Sequence, residues 1–491
     1  MENNNRKNFF IWALVVLALI IITNLATYHY SRNAAEGEND NSTTIIRYEP
    51  TRSDIDPDTV IIFEALDSIL KNYYTPVEKE VLIEGAVRGI IQSLDDPLVR
   101  YYDAEDLEEF LMETRGSYGG IGVRIIESNQ SIVVFDVFPG TPAERSGLSP
   151  GDRIIKADGV ELTGQGLMIA VEHLRGPSDT IVELEISRPG ADEPIVINVS
   201  REEIQVTTVF SEMLDDGLGY IQISSFDSNT AREFTEQFRA MEQRGLSTGL
   251  ILDLRNNPGG LVDQAVEIGK LLVPEGEIVR LVGRDDDVKT IYNSSAARKP
   301  YPIVVLINEE SASASELLAG ALQDRGAGML VGKTSYGKAS VQQLVYLPGD
   351  NAILLTMARY LTPSGHDIDK YGIEPDFTVE MPEVLRYYRY FHPGRLEEGS
   401  YGPDVEVLQM ILEQIGIRVE VSGYFDDQTA RALSEFQIYA NLRPSGEFDD
   451  QTWIELREAL DIAARDQDAQ LNYAIELINK PGLWTITGGI E

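Results

Sequence analysis

Between residues 201 and 385, short apolar β-rich runs alternate with helical segments, and this alternation constrains the fold more than any other feature of the chain. The runs "LGYIQISSF", "GLILDLR", "PIVVLIN" and "AILLTMARYLT" read as strands, while "TAREFTEQFRAMEQR" and "ELLAGALQDRG" between them read as helices. Such alternation builds an α/β layer. A chain of 491 residues is too long for one typical domain, and its other segments have different patterns. Over 56–115 the pattern is helical. "VIIFEALDSILKNYY" places Ile61, Ala65, Ile69 and Leu70 near one face, and "EKEVLIEGAVRGIIQSL" does the same for Leu82, Ala86, Ile90 and Leu94. This region fits either a dimerisation arm or a packing layer on the next domain. Over 116–200, short β-rich runs are broken by Gly and Pro.

The last module, 395–460, holds an internal repeat. "SGYFDDQTARAL" and "SGEFDDQTWIEL" match at eight of twelve positions, 23 residues apart. In each copy Gly makes a turn, an Asp can cap, and Gln-Thr opens a helix. Residues 461–491 read as one more helix and a short tail.

At the other end, Phe9 to Ile22 is an unbroken apolar run that Leu25 and Ala26 extend. Phe9 to Ala26 spans roughly 27 Å as a helix, close to a bilayer core of about 30 Å. Arg6 and Lys7 precede the run and a polar stretch follows, which puts residues 1–8 in the cytoplasm and the bulk of the chain outside. Residues 9–28 are therefore expected to form an uncleaved transmembrane signal anchor, with 29–55 a flexible spacer. A cleaved signal peptide is the rival reading, but no small-x-small site directly follows the run.

Composition removes several classes of function. The chain carries 41 basic and 80 acidic residues, a net charge of −39, and has no basic cluster for phosphate contacts, so nucleic acid is not an expected partner. The absence of cysteine excludes disulfides and a thiol nucleophile. The four histidines are scattered without HExxH spacing, which argues against a histidine-based zinc site.

The segment 303–342 is the most informative about chemistry. An apolar strand, Ile303–Ile307, ends in a turn containing Ser311, Ser313 and Ser315, and a helix follows at once. A serine at a strand-to-helix junction is exposed for attack, and helix-start N–H groups can hold oxyanion charge. An N-cap cluster explains the same serines without chemistry. Lys333 and Lys338 lie in a Gly-rich loop, and a lysine can act as base for a serine once burial lowers its pKa. In "LILDLRNNPGGLV" a strand runs into Gly259-Gly260, where backbone N–H groups can approach a carbonyl oxygen. Local pattern does not choose among three serines or two lysines.

Together these elements resemble the carboxyl-terminal processing peptidases, serine endopeptidases with a PDZ domain before a Ser-Lys catalytic core. The resemblance spans roughly 56–385 and rests on "LIEGAVRGIIQSLDDP", "GGIGV", "GTPAERSGLSPGDRI", "DLRNNPGG", "SASASE", "GKTSYGKASVQ" and "YLTPSG…GIEPD". It implies Ser313 as nucleophile, Lys338 as general base, Gln342 as the residue orienting the lysine, and Gly259 with the Ala314 N–H as oxyanion hole. It also points to Asp324 as a supporting acid. The family pattern Phe-Gly-Lys-Gly is here Tyr336-Gly337-Lys338-Ala339. No metal, nucleotide or other cofactor is implied, and no P-loop is present for ATP-driven unfolding. Residues 116–200 then read as the PDZ domain, with Gly119, Gly120, Ile121, Gly122 and Val123 receiving a substrate C-terminus and the peptide adding as a strand. Arg175 is either a contact to the protease core or a solvated arginine. Residues 395–460 resemble the three-helix peptidoglycan-binding domain of wall hydrolases.

The expected architecture is thus multidomain α/β (α+β): transmembrane helix, helical arm 56–115, PDZ domain 116–200, protease core 201–385 and a small three-helix domain. The expected activity is membrane-anchored, extracytoplasmic endoproteolysis near protein C-termini. Its expected partners are proteins with accessible C-termini, the cell wall, and a second copy through the helical arm, as in family members. A non-catalytic PDZ and wall scaffold is the alternative. A wall hydrolase has no glycosidase carboxylate pair or zinc set by spacing to support it.

Overall fold

The computed structural model describes residues 46–47, 57–128, 130–191, 193–214, 217–382, 391 and 394–480. The run Phe9–Ala26 lies outside them, as do residues 481–491. No helix among the described residues is long and apolar enough to cross a membrane. Within the expected spacer, Ile46–Arg47 pairs in parallel with Val345–Tyr346 instead of being a free linker.

The helical arm contains α1 (Val60–Asn72), α2 (Lys79–Gln92) and α3 (Ala104–Arg115). Helix α1 buries none of its residues, and Ile61 and Phe63 are 69% and 58% exposed. The apolar face legible in the sequence thus has no cover among the described residues. The short strand Arg100–Tyr102 between α2 and α3 joins the edge of the long strand Asn351–Leu361. The C-terminal end of the arm is thereby built into the protease.

The PDZ region is a five-stranded antiparallel sheet in the order β1 (Val123–Ser128), β2 (Ser131–Val137), β3 (Arg153–Ala157), β4 (Ile181–Ser187) and β5 (Ile195–Ser200). Val160–Glu161 pairs beside β3, and helix α4 (Leu167–Leu174) packs on the sheet. Alternation along β4 buries Val182, Leu184 and Ile186 and leaves Glu183 exposed and Glu185 half-buried between them, as a one-sided strand requires. The segments entering and leaving the domain, Ser117–Gly120 and Glu202–Gln205, pair antiparallel as a two-stranded ribbon.

The protease core is a six-stranded sheet in the order β6 (Val209–Met213), β7 (Leu218–Ile223), β8 (Gly249–Asp253), β9 (Ile303–Ile307), β10 (Met329–Gly332) and β11 (Phe377–Thr378). Only the β6–β7 pair is antiparallel. Every residue of β8 and β9 is buried, as in parallel sheets covered on both faces. Helices α5 (Thr230–Gln243), α6 (Val262–Leu272) and α7 (Ala314–Asp324) cover one face through Phe234, Phe238, Val266 and Leu318.

The other face is covered from the far end of the chain. After α8 (Pro403–Gln414), α9 (Asp427–Tyr439) and α10 (Asp450–Asp466) of the C-terminal module, helix α11 (Ala469–Ile478) returns to the core. It lays Ala474, Leu477 and Ile478 on Ile251, Val304 and Leu306. Burying Leu477 and Ile478 contributes about 2 kcal/mol each. The three-helix module is therefore inserted into the protease fold between β11 and α11. Gln470 Nε2 donates to Val379 O at 2.7 Å and closes the two ends of the insertion. The repeat behaves as its sequence predicts: Asp426 caps α9 through Thr429 N, and Asp449 caps α10 through Thr452 N. The second Asp of each pair diverges. Asp427 pairs with Arg431 on its own helix, whereas Asp450 accepts hydrogen bonds from Ser128 and Arg153 of the PDZ sheet.

Candidate active site

Strands β8 and β9 are parallel neighbours, with Asp253 opposite Leu306. Their C-terminal ends therefore release two loops side by side, the position where parallel α/β sheets carry ligands. The loop 254–261 and the serine turn 308–313 are stitched together. Ala312 N and Ser315 Oγ both donate to Asn257 O at 3.0 Å, Ser311 Oγ donates to Leu254 O at 2.8 Å, and Asn256 and Asn308 exchange bonds through Asn256 N and both side chains.

This stitching separates the three serines. The hydroxyls of Ser311 and Ser315 are spent on backbone carbonyls of the neighbouring loop. Ser313 is the one held at φ 54°, ψ −113°, in the left-handed half of conformational space that a non-glycine residue enters only under constraint. It is the N-cap of α7. Ala314 is the first helical residue, where a backbone N–H has no intrahelical acceptor. Gly259, at φ +99°, lies against this turn so closely that a Cβ on it would sit 2.7 Å from Ala312 O and 2.7 Å from Ser313 Cβ. Only glycine permits the approach. The Gly259 N–H donates to Asn257 Oδ1 at 2.8 Å.

The constraint on Ser313 comes from a buried carboxylate. Glu316 is fully buried, and its Oε2 accepts from Ser313 N and from Lys338 N, each at 2.8 Å. Its Oε1 accepts from Ser335 Oγ at 2.5 Å and Gly337 N at 2.7 Å. Four donors satisfy the charge, which burial otherwise penalises. The hydroxyl of Tyr360, also fully buried, faces Ser313 O at 2.9 Å and Lys338 O at 3.2 Å. The backbones of Ser313 and Lys338, 25 positions apart in sequence, are thus tied to one carboxylate oxygen and one phenol.

The two lysines are equally distinct. Lys333 forms an ion pair with Glu380 at 2.9 Å. The amine of Lys338 is pushed below its ordinary range, first by burial and then by the positive charge of Arg100. Lys338 and Gln342 line a cavity of about 740 Å³, walled by Arg100, Tyr101, Glu109 and Phe110 of the helical arm. Within it, Gln342 Nε2 donates to Ser340 Oγ at 3.0 Å.

Asp324 is placed elsewhere. It ends α7, ten residues from Ala314 and so roughly 15 Å along the helix. There its carboxylate accepts from Ser364 N and Ser364 Oγ and holds the turn after Tyr360. In the PDZ region the five expected residues divide. Gly119 and Gly120 belong to the connecting ribbon, whereas Ile121 and Gly122 form the loop before the edge strand β1, which Val123 opens. Ile121 O and Gly122 O are engaged inward by Ala143 N and Phe138 N. Arg175 is partly exposed; it pairs with Glu109 of α3 at 2.9 Å and lies over the Tyr118 ring. Sequence reasoning missed Glu316, Tyr360, Asn257 and Arg100. The spacing Ser313-x-x-Glu316 is a capping-box signal that could have drawn attention to Glu316; Asn257 lies in "DLRNNPGG" and Tyr360 opens "YLTPSG", though neither motif singles them out, and no local pattern marks Arg100.

The chain is similar to known proteins over most of its length. Residues 217–379 match peptidase family S41, 109–187 a PDZ domain, 401–456 a peptidoglycan binding domain and 20–106 the activating protease CtpB N-terminal domain. The chain is 34% identical to the carboxy-terminal processing protease CtpA of Bacillus subtilis over 85% of its own length and 89% of the relative's. It is 34% identical to CtpB of the same organism over 77% and 79%. It is 37% identical to a carboxy-terminal-processing protease of Bartonella bacilliformis over 67% and 76%.

Proposed function

Because the chain belongs to the carboxy-terminal processing proteases of peptidase family S41, serine-type enzymes, and carries a PDZ domain, we propose that it cleaves proteins near their C-termini with a Ser313–Lys338 dyad. The observation that carries this reading is the shared carboxylate: Glu316 Oε2 holds the backbone N–H of nucleophile and base together. The lowered pKa of Lys338 supports a neutral amine ready to accept a proton.

In this reading Lys338 takes the hydroxyl proton of Ser313 as Oγ bonds to the scissile carbonyl carbon. The charge on the carbonyl oxygen meets the Ala314 N–H, and the Gly259 N–H once Asn257 Oδ1 releases it. Collapse expels the amine, which takes the proton from Lys338. Water then gives a proton to Lys338 and attacks the ester; the acid product leaves, and the proton returns to Ser313. Gln342, in the same cavity as Lys338, orients the amine.

The PDZ domain gates this step by taking a substrate C-terminus at Ile121–Val123, with the peptide adding beside β1, the open edge of its sheet. The ion pair between Arg175 and Glu109 supports the gating role, since Glu109 lines the Lys338 cavity. The apolar run Phe9–Ala26 supports membrane anchorage with the enzyme outside, where the three-helix module reaches the wall. The exposed apolar face of α1 supports a homodimer through the arm. Comparing cell-envelope proteomes of wild type and Ser313→Ala tests the proposal. Loss of processed C-termini in the variant is expected; identical processing would leave a scaffold role.

A further inference from the structure

Tyr360 belongs to no motif that names a catalytic group, yet its side chain reaches between the two proposed reactive residues. Its backbone is anchored first: Tyr360 N donates to Ala339 O at 2.9 Å, one residue past Lys338. Its ring is fully buried in the core that also holds Ala314, Ala339, Ile368 and Ile373. Its hydroxyl has a single proton and two acceptors in reach, Ser313 O at 2.9 Å and Lys338 O at 3.2 Å, so the proton is shared between them. Burial, and after it the nearby charges of Glu316 and Asp369, hold the phenol far above its ordinary pKa. It therefore stays a donor at any working pH. Core packing alone requires only the ring. The hydroxyl serves the two carbonyls, and those carbonyls belong to Ser313 and Lys338.

We propose that Tyr360 is a positioning residue for the acyl-transfer step, its hydroxyl fixing the separation of Ser313 and Lys338 through their carbonyls as Glu316 does through their N–H groups. The inference rests on the Ser313–Lys338 reading. Glu316 draws the two N–H groups to one oxygen, and Tyr360 draws the two carbonyls to one proton. With both clamps in place, the peptide units before and after Ser313, and those before and after Lys338, each hold a buried bond, Ser313 O accepting from Leu317 N at 2.9 Å as well. This is how a left-handed serine is kept in place at a helix start.

The test uses the full chain purified as wild type, Tyr360→Phe, Glu316→Asp and Ser313→Ala. Tyr360→Phe keeps the ring and removes the hydroxyl. Glu316→Asp keeps the charge and withdraws the carboxylate by one methylene. For each, kcat and KM on a protein substrate, the rate of labelling by a fluorophosphonate serine probe, and the folded fraction by circular dichroism are measured. Because a 1 Å misplacement of reacting groups costs on the order of 100-fold, Tyr360→Phe is expected to lose 10- to 100-fold in kcat. Labelling should slow in step, with KM within twofold and the folded fraction unchanged. Glu316→Asp should show the same split. Wild-type kcat in Tyr360→Phe overturns the inference, as does a loss in both variants that tracks the folded fraction. If Ser313→Ala is still active and labelled, the dyad reading itself has failed. If only Ser313→Ala is inactive, Ser313 stands as the nucleophile and Tyr360 has no positioning role.

Discussion

Replacing Gly259 with alanine perturbs the proposed site without altering a polar group. The added Cβ would lie 2.7 Å from Ala312 O, 2.7 Å from Ser313 Cβ and 3.0 Å from Ala314 N. Ordinary contacts begin near 3.5 Å, so the serine turn must retreat by about 0.5–1 Å. It cannot move freely, because Ser311, Ala312 and Ser315 are bonded to the Gly259 loop and Ser313 N to Glu316. Alanine at φ +99° adds about 1–3 kcal/mol of backbone strain. The expected result is a loss in kcat/KM on the order of 100-fold, with stability lowered by roughly 1–3 kcal/mol. Steady-state kinetics and urea unfolding read the two effects. Activity within threefold of wild type would show that Gly259 does not lie against the reacting serine, and the reasoning would be refuted.

Three further predictions concern parts that local sequence does not connect. Asp468→Ala removes two bonds to the buried Arg255 guanidinium, at 2.7 and 2.9 Å, and the cap of α11 on Leu471 N. Arg255 keeps its pair with Asp253, so the loss is about 1.5–3 kcal/mol; hydrogen exchange should show α11 and β8 less protected, and unchanged protection would refute the latch. Because the folded-state pKa of Lys338 is lowered, activity should rise with pH through that pKa, and Arg100→Met should move the acid limb to higher pH. By the same sign, holding Lys338 protonated destabilises the fold. This cost is fully present below the lowered pKa and gone above the ordinary value near 10.4, so Lys338→Met should abolish activity yet raise Tm at neutral pH. Asp450→Ala removes the bonds from Ser128 and Arg153, about 1–2 kcal/mol of contact between module and PDZ sheet. Faster hydrogen exchange in β1 and β2 checks it, and wild-type protection there would count against that docking.

Much of this organisation was legible before any coordinates. The alternation over 201–385 specified an α/β core, and the continuous apolar runs "GLILDLR" and "PIVVLIN" are the strands that the fold buries on both faces. The repeat announced its own helix caps, since Asp426 and Asp449 act on residues three positions away. Local chemistry of this kind needs only a few neighbouring residues.

The choices that make a site are not local, and here tertiary structure decided them. Ser311, Ser313 and Ser315 are alike as residues; they differ because Leu254 O and Asn257 O, on a neighbouring strand's loop, consume two of the hydroxyls. Lys333 and Lys338 differ because one meets Glu380 and the other is half-buried beside Arg100, contributed by a strand more than 200 residues earlier. Asp324 matched an acidic position in the sequence, but a rigid helix carries it a full helix length from Ser313. Residues 461–491 read as one more helix and a short tail, but only the fold shows that helix α11 is the second cover of the central sheet. Burial, desolvation and hydrogen-bond saturation depend on what surrounds a side chain, and only the folded chain supplies those surroundings.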